Sequence, residues 1–142
     1  MKRVRPGAAP PTEVLVVVTT VGTQQQALDI AQALVHRRLA ACVNILPNVR
    51  SIFRWKGKIH DDGEFMLLVK TIPGRYDAVK KAIREIHTYE LPEILGNPVA
   101  LAEPNFAAWI DEMSRPARRA PRKKPAAAAA AKTARAGKAA KT

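Results

Sequence analysis

The sequence predicts an α+β domain of the ferredoxin-like, split βαβ kind: two helices over an antiparallel sheet in the order β-α-β-β-α-β, with a C-terminal helix added. Three observations predict it. Short β-branched apolar runs alternate with segments whose apolar residues recur at helical spacing. A long extended stretch carries turn residues in its middle and no helix between its halves. A length of 142 residues with 47% apolar content suits one domain around one core.

The first strand is Glu13 to Thr20, a nearly continuous apolar run of the kind buried on both faces, closed by Gly22. Thr23 followed by Gln26 fits a capping box, and Leu28, Ala31, Leu34 and Val35 mark one face of a helix ending near Arg38. The extended stretch from Leu39 to Trp55 is interrupted by Pro47, which cannot donate to a ladder and therefore sits at an edge or a bulge. A further strand runs to about Thr71. The turn between the two falls either at Trp55-Lys56-Gly57-Lys58 or at Asp61-Asp62-Gly63, and composition does not choose between them. Pro73 suits a helix start, and Tyr76, Val79, Ile83 and Ile86 share a face behind it. "PVALA", from Pro98, reads as the last strand. The final helix, "EPNFAAWIDEMS", places Phe106, Trp109, Ile110 and Met113 together.

The formal charge of +12 is unevenly placed. Thr12 to Ser114 holds eleven Lys or Arg against all twelve acids, while Arg115 to Thr142 holds ten cations and no acid. Residues 13–114 are thus read as the folded domain. Residues 1–12 and 115–142 are expected to be disordered, because neither segment can bury enough surface to offset ordering entropy. The tail reads as a solubilising extension or as an arm that binds nucleic acid non-specifically through its charge. Cys42 is the only cysteine, so neither an intrachain disulfide nor a CxxC zinc site can form, and a reducing compartment is expected. No run approaches the roughly 20 apolar residues of a membrane span, and the first residues lack the apolar segment of a secretory signal. A cytoplasmic protein without membrane insertion is expected.

Four blocks, "RRLAACVNILPNVRSIFRWKGKI", "EFMLLVKT", "HTYELPEI" and "FAAWI", resemble, in that order, the signature blocks of the CutA family of divalent-cation tolerance proteins. The similarity runs from about Val14 to Met113. It implies a ferredoxin-like fold assembled as a homotrimer, with strands of one subunit extending the sheet of the next. It also implies a link to copper and other divalent metals and, in animals, to anchoring a membrane enzyme. Assembly would bury Ile52, Phe53 and Trp55, which a long hairpin leaves exposed in a monomer.

The segment "IHTYELPEI", from Ile86, bears the chemistry. His87, Cys42 and Glu90 are the candidate metal ligands, types that suit copper or zinc, with no metal required for folding. Pro92 disfavours helix at Leu91, which places His87 near a helix C-terminus, a position where an imidazolium meets the helix dipole favourably. The resemblance implies copper ligands at a cysteine late in the first strand and at two adjacent histidines. Thr19 and Ile86 occupy two of those positions here, leaving His87, and Thr88 replaces the proline that usually follows. By fold analogy with trimeric nitrogen-regulatory signalling proteins, Trp55, Lys70, Tyr89 and Glu93 are candidates for an intersubunit metabolite pocket. With no GxSxG, P-loop or HExxH, and with Cys42 in an apolar strand, the chain is not expected to be an enzyme.

Overall fold

The computed structural model describes residues 11–118, so most of the predicted arm over 1–12 and of the basic tail over 115–142 lies outside the described residues. Four strands and three helices follow in the predicted order: β1 (Leu15–Val21), α1 (Gln24–His36), β2 (Cys42–Trp55), β3 (Lys58–Thr71), α2 (Tyr76–Ile86), β4 (Leu95–Pro98) and α3 (Pro104–Met113). The sheet is antiparallel throughout, in the order β2-β3-β1-β4, so β3 lies between β1 and β2 as the split βαβ plan requires. β4 starts three residues before the predicted strand, pairing Val18 with Leu95 and Leu15 with Pro98. Its sequence, LGNP, holds three residues depleted in strands; pairing with β1 overrides that local preference. Gly96 lets the Tyr76 ring approach closely, since a Cβ there would lie 3.2 Å from it.

Helix ends follow capping chemistry. The Thr23 hydroxyl accepts from the Gln26 N–H at 3.2 Å, whereas the Gln26 side chain turns away to the Ile86 carbonyl, so half of the predicted capping box forms. At the other end of α1, the Leu39 N–H bonds the Leu34 carbonyl and the Arg38 N–H the Val35 carbonyl, a Schellman closure with Arg38 at φ 56. Arg38 accepts that strained conformation while its guanidinium binds the Glu112 and Arg115 carbonyls at 2.9 and 2.7 Å. Those contacts tie the end of α1 to the end of α3. The buried stripe of α1 is Ala27, Ile30, Ala31 and Leu34, rotated from the predicted face so that Val35 is exposed. In α3 the buried residues are Ala107 and Ile110; Phe106 and Trp109 stack on each other at 5.5 Å outside the core. Large aromatic residues drew the prediction, but the small Ala107 permits the close approach.

Lys56 and Gly57 both have positive φ, 49° and 77°, and Trp55 pairs with Lys58, which makes a two-residue type I′ turn. Asp61, Asp62 and Gly63 belong to the ladder. Pro47 sits at an extra residue between Leu46 and Val49, in the edge strand β2, with Asn48 at φ 60. Ala at Gly57 would meet no neighbouring atom but would have to hold φ 77. Gly57→Ala is therefore expected to cost about 1 kcal/mol in a denaturant titration.

α1 and α2 cover one face of the sheet, where Leu15, Val17, Val21, Leu67 and Val69 meet Ile30, Leu34, Val79 and Ile83. α3 closes a smaller cluster with Val14, Ala41 and Ile72. On the opposite face Val16, Val18, Met66 and Leu68 are only half-buried and Leu46 is exposed. β1 thus has the both-faces-buried composition that its apolar run predicts, while a single chain covers one face. Beyond Phe65, the last partner of β1, the β2–β3 hairpin continues for about 20 Å without a third strand.

Candidate functional site

His87 stands where α2 ends. Its N–H closes the helix on the Ile83 carbonyl at 2.8 Å, and its extended ψ of 133° turns the chain towards β1. The imidazole is buried, with Nε2 2.8 Å from the Thr20 carbonyl and Nδ1 accepting the Tyr89 N–H at 3.1 Å. A donor at Nδ1 places the proton on Nε2, which donates to Thr20. Both ring nitrogens are therefore engaged in fastening the segment after α2 to β1.

The following residues extend this latch. The Tyr89 hydroxyl donates to Oε2 of the buried Glu64 at 2.8 Å, and Gly22 leaves it room, since a Cβ there would lie 3.2 Å from that oxygen. Thr20 Oγ1 donates to Glu93 at 3.2 Å, and Thr88 Oγ1 to Gln26 at 3.3 Å. Burial first, then the hydrogen bond to Glu64 and the charges of Glu64 and Asp62, push the Tyr89 phenol up to about 12 from an ordinary 10.0. Because the folded state resists this ionisation, the stability it contributes is fully present below pH 10 and is lost as pH rises towards 12. Tyr89→Phe is expected to flatten that decline in denaturation curves taken across the window. It should also lower the neutral-pH baseline, because Glu64 loses its donor.

The predicted metal ligands are not neighbours. Cys42 lies opposite Lys70, which lies opposite Val16, four residues from the Thr20 that binds His87. That separates Cys42 from the His87 anchor by about 13 Å along the strands and two strand spacings across them. Glu90 is exposed and pairs with Lys56 Nζ at 3.3 Å. Among the described residues no group of three or more His, Cys, Asp or Glu side chains could hold a metal ion. Thr19, at one implied family ligand position, is fully buried with an unpartnered hydroxyl; Ile86, at another, packs against the core.

Of the pocket candidates, Trp55 and Tyr89 share a groove of about 390 Å³ with Phe53, His60, Asp62 and Glu90. Glu93 is held by Thr20, and Lys70 lies elsewhere, its Nζ 5.9 Å above the Phe106 ring. Glu64 and Asp62 gain their places only from the hairpin register, which pairs Val49 with Glu64 and Ser51 with Asp62. No local sequence signal marks either. A larger groove, of about 710 Å³, runs beside Ile72–Arg75 and contains none of the predicted site residues.

Fold and site together define a ferredoxin-like α+β protein in which the polar residues around His87 form a structural latch. The chain belongs to the CutA1 divalent ion tolerance protein family, whose model matches residues 15–113. It is 42% identical over 97 residues to the divalent-cation tolerance protein CutA of Thermus thermophilus, covering 68% of this chain and 94% of that one. The solved structure of a divalent cation tolerance protein from the same organism superposes with a TM-score of 0.70 at 40% identity, over 72% of this chain and 99% of that one. A CutA homolog from Xenopus laevis is 39% identical over 87 residues, 61% of this chain; the match spans 58% of that longer protein.

Proposed function

We propose that this chain serves divalent-cation tolerance as a cytoplasmic, non-catalytic homotrimer. The observation that carries the assembly is the uncovered sheet face: Val16, Val18, Met66 and Leu68 lie half-buried behind an overhanging hairpin on which Ile52 and Ile59 are 69% and 60% exposed. Burying an apolar face and pairing free hairpin edges is the ordinary driving force for such assembly. Within one chain the register holds Cys42 far from His87, so a single chain does not form a nucleophile–base pair from the two.

Contact with copper or another divalent ion is assigned to His87, with Cys42 or Glu90 supplied from a neighbouring subunit. One chain does not bring the three together, and metal at His87 must displace one of its two hydrogen bonds. Giving up such a bond costs about 1–3 kcal/mol, so affinity should fall about fivefold or more below that of a preformed site. Calorimetric titration of the full chain with copper and zinc tests this. Weak binding that disappears in His87→Gln is expected, and equal affinity in that variant removes His87 as a ligand.

A second reading, a small-molecule sensing or anchoring module, is favoured by the Trp55–Tyr89 groove. The basic tail is assigned non-specific nucleic-acid binding from its ten cations over Arg115 to Thr142. DNA retardation at low salt should be lost on deletion of residues 115–142; retention of binding would place it in the folded domain.

A further inference from the structure

We propose that Glu64 of one subunit pairs with Lys70 of the next across the trimer interface, an ion pair that exists only in the assembly. The inference deepens the homotrimer reading and rests on it. Alternation along β3 puts Asp62, Glu64, Met66, Leu68 and Lys70 on one face, the face that α1 and α2 leave uncovered. Towards one end of this row the Glu64 carboxylate is buried, 6% exposed, with the Tyr89 hydroxyl donating to it at 2.8 Å and no cation within ion-pair distance among the described residues. Negative charge gathers there. Asp62 also lacks a cationic partner among the described residues, and Glu93 bonds Thr20, which sits opposite Met66. At the other end Lys70 is half-buried, its Nζ 5.9 Å from the centre of the Phe106 ring and paired with no carboxylate among the described residues. Six residues of strand, about 20 Å, separate Glu64 from Lys70, so the two cannot meet within one chain.

Between the two charges lie Met66, Leu68, Val16 and Val18, the apolar patch of the proposed interface. Covering that patch removes water from both of its ends, and a charge buried there without a counter-charge opposes assembly. A cyclic trimer joins two different patches of each chain, so the acidic end of one subunit meets the basic end of the next and the contact repeats three times. Charge complementarity therefore selects a second copy of this chain, placed head to tail, as the occupant of the face. Lys58, the other cation on this face without a carboxylate partner among the described residues, stands at the exposed hairpin tip, where water already solvates it.

The test dilutes the full chain and follows its mass by light scattering, with circular dichroism reporting the fold of each variant. Glu64→Gln keeps an oxygen to accept from Tyr89, so the latch stays closed while the charge is removed. Glu64→Gln and Lys70→Met should each raise the concentration at which half of the chains dissociate by at least about tenfold, because each strands the opposite charge in the interface. The double variant strands neither charge and should dissociate at a concentration no higher than either single variant. Lys58→Met should leave that concentration unchanged. Effects that multiply in the double variant, an unchanged midpoint in either single variant, or coupling of Glu64 to Lys58 in place of Lys70 overturns the pair. Loss of the dichroism signal in Glu64→Gln or Lys70→Met would place the role within the single chain and overturn it as well. A parent with the mass of one chain at every concentration fails the trimer reading and the pair with it, whereas a trimeric parent with multiplying effects fails the pair alone.

Discussion

Replacing His87 by alanine is expected to destabilise the protein by about 3 kcal/mol, measured by urea denaturation at fixed protein concentration. The substitution leaves the Thr20 carbonyl and the Tyr89 N–H without their partner and opens a cavity beside the Tyr89 ring, 4.8 Å from the imidazole centre. The two nitrogens can be separated by substitution. Asparagine can replace Nδ1 as acceptor for the Tyr89 N–H, and glutamine can replace Nε2 as donor to Thr20. Each should recover part of the loss and neither all of it. Unchanged stability in His87→Ala would show that the latch contributes nothing, and would leave both nitrogens free for metal.

Leu68→Lys is expected to reduce the assembly to single chains that remain folded. Leu68 lies between Val18 and Asn44 in the sheet register, on the face away from α1 and α2, and is half-buried. In one chain a lysine there can extend its ammonium to water. In the proposed trimer three unpaired charges would enter an apolar interface, at a cost of several kcal/mol each. Leu67→Lys, one residue away, provides the contrast: Leu67 is fully buried beneath the helices, and its replacement should unfold the chain. Circular dichroism alongside a mass measurement distinguishes the two outcomes. Loss of helical signal in Leu68→Lys would place that side chain in the fold of the single chain rather than in an interface.

The order of elements was legible because short β-branched apolar runs alternate with apolar residues at helical spacing, and Pro47, Gly57 and Pro73 mark an edge-strand bulge, a turn and the 3-10 turn Pro73–Arg75 that leads into α2. The last strand was not, because LGNP owes its conformation to β1 and not to its own residues. The exposed face of α3 was misplaced because Phe106 and Trp109 outweigh Ala107 on any hydrophobicity count. The position of His87 at a helix end followed from Pro92, but its partner did not. Instead of an imidazolium facing helix carbonyls, the structure has a neutral ring donating to Thr20, 67 residues away. Long-range pairings of that kind have no local signature. The same holds for the groove, whose Phe53 and His60 come together only through strand register.

The proposed trimer depends on the uncovered face and the overhanging hairpin, both within residues 13–114, and not on the basic tail. Light scattering from a chain of residues 12–114 measures this directly. Three chains per particle, with circular dichroism matching the full-length protein, is the expected result. A folded species with the mass of one chain would contradict it.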